Sequence, residues 1–232
     1  LGSGSILFTG LTGAATISNS NISGGVHDNV RVTNSTGTLN RLTFDNVTIG
    51  ANHNTSGNDG IGIEATGTAV INVTVTDSTF TSSRGDLFQM SQLAQTTSDL
   101  IFTGNTLSNN HPNRVSGGVW VESGNTVGSA NLTFFIDDNT FRDASGHAVV
   151  LSKGAGPGTM TGSFTNNAVG VSGAANSGSL TGNGLRVQNI GLGELTVLVA
   201  NNGIHQYNNH GINVVAGSGD AAGGNVNVTI RG

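Results

Sequence analysis

The sequence predicts an all-β solenoid of about seven to eight coils, each about 30 residues long and built from three short parallel strands. Three observations carry that expectation. A five-residue spacing between two apolar residues, filled by Asn, Asp or Ser, recurs along the whole chain. An alternating apolar pair follows every copy, just after a turn residue. Gly supplies 37 of the 232 residues and charged side chains only 9%, and no window holds apolar residues at helical spacing over about 11 residues without a Gly or Asn break.

The bend signature reads Ile17 to Ile22, Phe44 to Ile49, Val75 to Phe80, Phe102 to Leu107, Ile136 to Phe141, Phe164 to Val169 and Val199 to Ile204. Successive copies lie 27, 31, 27, 34, 28 and 35 residues apart. The alternating pairs are Val30/Val32, Ile61/Ile63, Phe88/Met90, Val119/Val121, Val149/Leu151, Leu185/Val187 and Ile212/Val214. Alternation with period two marks a short strand with one buried face. One coil buries about five apolar side chains worth roughly 1.5 to 3 kcal/mol each. Ordering its backbone costs on the order of 1 to 2 kcal/mol per residue, so coils must stack to be stable.

The bend never changes length, whereas the gap from bend to pair runs 8, 12, 8, 12, 8, 16 and 8 residues. Insertions are thus confined to one or two corners, as expected where the variable corner is a solvent loop and the invariant bend a tight internal turn. Two residues before each closing apolar residue stand Asn105, Asn139, Asn167 and Asn202, with Ser20 and Ser78 earlier. Asn tolerates left-handed backbone angles, and its amide can both donate to and accept from the coil above, so these residues are expected to form a ladder along the bend. Val47 is expected to interrupt it.

In this pattern the chain resembles the right-handed parallel β-helix of the pectin-lyase-like superfamily, including bacterial surface and autotransporter-type repeat proteins. The likeness covers about residues 14 to 232. It implies right-handed coils and an Asn-rich bend between two of three parallel sheets. Residues 1–232 read as one solenoid domain. The opening Leu-Gly-Ser-Gly-Ser lacks a Met, and the chain closes at Arg231-Gly232 inside an apparent strand, so a segment of a longer chain is expected.

Composition excludes several functions. The 8 Lys and Arg residues, within a net charge of -5, do not make the basic footprint that nucleic acid requires. No apolar run approaches the roughly 20 residues of a membrane helix. Without Cys there are no disulfides, thiolate metal sites or cysteine nucleophiles. A Cys-free, Lys-poor chain rich in Asn, Thr and Gly suits the outside of a bacterial cell, which makes an extracellular or cell-surface location the expectation.

The outward positions of the apolar-pair strand read Arg31, Gly62, Gln89, Trp120, Val150, Arg186 and Asn213, with no column of carboxylates or bases. Trp120, the only Trp, is a candidate glycan contact, since an exposed indole stacks on a sugar ring. Two residues ahead of each pair lies another column: Asp28, Asp59, Asp86, Gly117, His147, Asn183 and His210. Aspartates stacked at the coil repeat of about 4.8 Å raise one another's pKa. Asp28, Asp59 and Asp86 are therefore weak candidates for a calcium site, and Asp59 and Asp86 for a general acid/base pair in glycan cleavage. The blander use of the same residues is to terminate the loop and cap the turn.

A polygalacturonase-like site would add an Asp cluster, a Gly-flanked His and an Arg/Lys pair. The aspartates lie two to six coils from Gly146-His147-Ala148 and Asn209-His210-Gly211, and Lys153 is the only lysine. His205 and His210, five apart, and Gly217-Ser218-Gly219-Asp220 are weaker metal-binding patterns. The expectation is a structural or adhesive β-solenoid rod with no cofactor unless calcium binds. Its partners would be flanking coils or other copies end to end, with cell-surface glycans as candidate ligands. The enzymatic alternative is a polysaccharide lyase or glycoside hydrolase working along one sheet.

Overall fold

The computed structural model describes residues 4–124, 128–217 and 224–232. They wind into a parallel β-solenoid of about seven turns, with coils of roughly 31 residues and no helix among the described residues. The first sheet stacks Gly4–Thr9, Asp28–Asn34, Ile61–Ala65, Phe88–Gln92, Val119–Ser123, Val149–Lys153, Leu185–Asn189 and Ile212–Ala216. The second stacks Gly13–Ser18, Thr38–Asp45, Val70–Thr76, Thr97–Thr103, Asn131–Asp137, Thr159–Thr165, Glu194–Ala200 and Asn225–Arg231. The third is made of pieces of two or three residues, from Asn21–Ile22 through Thr106–Ser108 to Gly203–Ile204.

Register follows the sequence columns. The apolar pairs align residue for residue in the first sheet, from Val30 against Ile61 to Leu185 against Ile212. In the second sheet Phe44, Val75, Phe102, Ile136, Phe164 and Val199 form one inward, buried column. The core is held where the sheets face each other. The Phe102 ring lies 6.1 Å from Phe80 of the third sheet and 5.1 Å from Phe88 of the first, so one side chain ties all three together.

The bend between the second and third sheets divides its labour between two neighbouring residues. The left-handed residue is Asn19, Asn46, Asp77, Gly104, Asp138, Asn166 or Asn201, one place before the ladder position in every coil. This corrects the sequence expectation, which assigns that conformation to the ladder Asn itself. The backbone reverses at the first residue, which frees the second to point its side chain inward. There the expected ladder exists. Asn139 Oδ1 accepts the Asn105 N–H at 2.9 Å and its Nδ2–H at 3.0 Å, and Asn139 Nδ2 donates to Phe102 O at 2.9 Å. Asn167 Oδ1 serves Asn139 likewise, at 2.9 and 3.0 Å, and Asn202 Oδ1 serves Asn167 at 2.8 and 3.1 Å. Val47 breaks only the side-chain part, because its N–H still donates to Ser78 Oγ at 3.1 Å.

The variable corner lies between the third and first sheets. Its two 12-residue gaps belong to coils flanking a coil with the short gap, so residues 50–60 and 109–118 overhang the tight corner at 81–87. They meet there: Asn113 Nδ2 donates to Asn54 O at 3.1 Å.

Candidate functional site

The column ahead of the first sheet sits at this corner and is a second ladder. Asp28 Oδ1 accepts the Asp59 N–H, Asp59 Oδ1 the Asp86 N–H and Asp86 Oδ1 the Gly117 N–H, each at 2.9 Å. Gly117 has no side chain to continue the series. It resumes with His147 Nδ1, which accepts the Asn183 N–H at 2.9 Å, and Asn183 Oδ1, which accepts the His210 N–H at 3.1 Å. Each side chain thus caps the backbone of the coil above it, the use that short polar residues commonly have where a loop ends.

Burial sets the electrostatics of this column. Asp59 is pushed up to about 8, first by desolvation, then by the charges of Asp86 and Asp28; the Asp86 N–H and Arg31 act in the opposite direction. Asp86 is also raised by desolvation, offset in part by the Ser116 hydroxyl and the Gly117 N–H. Arg31 reaches Asp28 at 3.5 Å and Glu64 at 2.8 Å. Asn58 Nδ2 lies 3.1 Å from Asp28 Oδ1 and 3.0 Å from Asp59 Oδ2. The three carboxyls stand in single file, and no group of three or more His, Cys, Asp or Glu among the described residues is placed to hold a metal ion.

The missing side chain at Gly117 has a second effect. Asp86 and His147 are two rungs apart, about 9.6 Å along the stack, and the opening between them is a cavity of about 120 Å³ that also admits Ser116, Trp120 and Val150. No other residue fits at 117, because a Cβ there would lie 2.0 Å from His147 O. Ser116 Oγ donates to Asp86 Oδ1 at 2.7 Å. The Asn183 amide can only donate, so His147 Nδ1 carries no proton and the ring is the neutral Nε2–H tautomer. Burial and the Arg186 charge lower its pKa, which agrees with a neutral ring.

This arrangement offers an indole face, a carboxyl and an N–H donor to a small polar ring. It does not offer a general base at His147, whose one lone pair is spent on a backbone amide. Trp120 projects from the first sheet between Gln89 and Val150, as its outward position requires. Asp59 is 2% exposed and does not line the cavity, while Asp28 belongs to the Arg31 cluster. His205 and His210 are exposed, and Ser218-Gly219-Asp220 lies outside the described residues.

Counting coils along the sequence keeps Asp86 and His147 apart. The signal that joins them is the Gly in a column otherwise filled with side chains. The sequence also gives no hint of the setting of Lys153, which is fully buried, donates to the carbonyls of Gly154 and Gly156, and has its pKa lowered by desolvation.

Fold and corner together define a parallel β-solenoid with two internal hydrogen-bond ladders and a small, mainly apolar cavity at the edge of its first sheet. No family model, no curated protein and no solved structure matches the chain. The likeness to the pectin-lyase-like superfamily rests on the repeat alone.

Proposed function

We propose that the protein is an extracellular structural or adhesive rod of a bacterial surface or secreted protein, whose work is to hold its corners at fixed spacing along a stiff axis. The observation that carries this reading is the continuous parallel stacking of eight strands in each of the first two sheets, carried through a bulge at Leu39–Leu42 in the second, which makes seven spacings of about 4.8 Å or about 34 Å of rise. A ladder of buried side-chain hydrogen bonds runs along two of the three corners and stiffens the stack. The enzymatic reading loses support at the same residues, because Asp59 is buried away from the cavity, and Asp86, at the cavity edge, has one carboxyl oxygen held by the Gly117 N–H and the Ser116 hydroxyl.

The partners that fit this reading are flanking coils or other copies, adding end to end by the hydrogen bonding that joins the coils. Val228 packs only partly against the core on the last strand of the second sheet. Sedimentation velocity over a concentration series should show head-to-tail growth that Val228→Lys suppresses. A monomer at every concentration overturns end-to-end assembly. Incubation with a panel of acidic and neutral polysaccharides should release no new reducing ends or unsaturated products. Cleavage that Asp86→Asn abolishes overturns the rod in favour of the enzyme.

A further inference from the structure

Beyond the Trp120 cavity, the two overhanging corners flank an open cleft of about 310 Å³, lined by Asn54, Thr55, Arg84, Asn113, Arg114 and Val115. Two of the chain's seven arginines meet here. Their backbone contacts orient them without neutralising them: Arg84 donates to Gly57 O at 3.3 Å and Arg114 to His111 O at 3.2 Å. The ion pairs among the described residues join Arg31 to Asp28 and Glu64 and Arg41 to Asp99, and include neither of these arginines.

One buried nitrogen on a lining residue also lacks a partner, Arg114 Nε. His111 Nδ1 accepts the Asn113 N–H at 3.1 Å, which places the ring proton on Nε2 and makes it a donor. Burial lowers the pKa of this imidazole, a hydrogen bond to the Asn52 backbone opposes it, and the Arg84 and Arg114 charges lower it further. The wall therefore presents guanidinium forks and amide and hydroxyl groups, with no carboxylate among its lining residues, in a protein of net charge -5. A buried donor without an acceptor is costly, and an uncompensated guanidinium more so, unless a ligand supplies the acceptor.

We propose that this cleft is an oxyanion-binding site, in which Arg84 and Arg114 grip a sulfate, phosphate or carboxylate group carried by a small ligand. Planar guanidinium forks match the oxygen spacing of all three groups. The volume holds the anion and the first atoms of its carrier, and two arginines are too few for a nucleic-acid backbone. Val115, 63% exposed, is the wall shared with the Trp120 cavity, so a ligand continuing past it reaches the indole. The site stands independently of the rod reading.

The test is calorimetric titration of the full chain at constant ionic strength and neutral pH with sodium sulfate, inorganic phosphate or glucuronate. Chloride sets the background. Saturable one-to-one binding of at least one anion is expected, and the three arms identify which group is preferred. The double variant Arg84→Gln/Arg114→Gln should weaken it about tenfold or more, whereas Arg142→Gln should leave it unchanged. The His111 ring resonances should move with the same saturation curve. Absence of saturable binding for all three anions overturns the proposal, as does binding that the double variant retains. If the glutamine pair fails to fold, Arg84→Lys/Arg114→Lys is read instead, and undiminished binding by that pair overturns it equally.

Discussion

Raising the pH should destabilise this protein, and Asp59 is the chief cause. Its carboxyl is pushed from 3.8 to about 8 by burial among Asp28 and Asp86. Across that interval the folded chain keeps a proton that the unfolded chain has released. Stability to unfolding then falls by about 1.36 kcal/mol per pH unit, and the whole interval is worth on the order of 5 kcal/mol. The contribution is fully present below about pH 4, declines as pH rises, and levels off above about pH 8.

His111 and His147 act in the opposite sense, because their lowered pKa values make stability rise with pH up to their ordinary value of 6.5. Between about pH 6.5 and 8 the histidines no longer contribute and Asp59 should remove roughly 2 kcal/mol; Asp86 acts in the same sense and Lys153 in the opposite one, so the difference between the natural sequence and a variant at position 59 isolates Asp59. Asp59→Asn keeps an oxygen to accept the Asp86 N–H but cannot ionise. Urea denaturation in half-unit pH steps should give a falling line for the natural sequence and a markedly flatter one for Asp59→Asn. Equal slopes for the two proteins, or stability rising with pH across the window in the natural one, would refute the argument that this carboxyl is protonated in the fold.

Three further outcomes are expected. Asn139→Ala orphans the buried Asn105 N–H and Phe102 C=O and should cost roughly 2 to 4 kcal/mol in denaturant unfolding, with a loss under 1 kcal/mol counting against the ladder. Phe102→Ala removes the ring that touches both other sheets and should cost about 3 to 5 kcal/mol by the same assay. Lys153, the only lysine and fully buried, should resist amine-reactive esters in the folded chain and react once denatured. Peptide mapping that finds Lys153 modified under native conditions would contradict its burial.

Much of this molecule can be read along the chain. Val30, Ile61 and Phe88 align because each is the first inward residue of its strand, and alternation with period two is a local property that the sequence displays directly. The Asn105 to Asn202 ladder is legible for the same reason, since one constant spacing repeats in every coil. The column from Asp28 to His210 is legible as a column, and its capping role follows from residue type. Which bend residue turns left-handed is not legible at bends such as Asp138-Asn139, Asn166-Asn167 and Asn201-Asn202, where the two neighbours are chemically alike. Asp138 and Asn139 can each fill either role, and only the closed backbone assigns Asp138 a φ of 55°.

Tertiary structure alone decided what the corners build. The gap lengths announce three long insertions, of 12, 12 and 16 residues, but not their paths, which depend on what each loop meets in space. Asn54 and Asn113 are 59 residues apart, and their contact over the Arg84 corner creates a cleft that no local pattern encodes. The pairing of Asp86 with His147 is similar, since it depends on a side chain that Gly117 lacks in the intervening coil. In a solenoid, short-range periodicity along the sequence sets the rise and register of the coils. The chemistry at a corner depends on neighbours one and two coils away, brought together only when the stack closes.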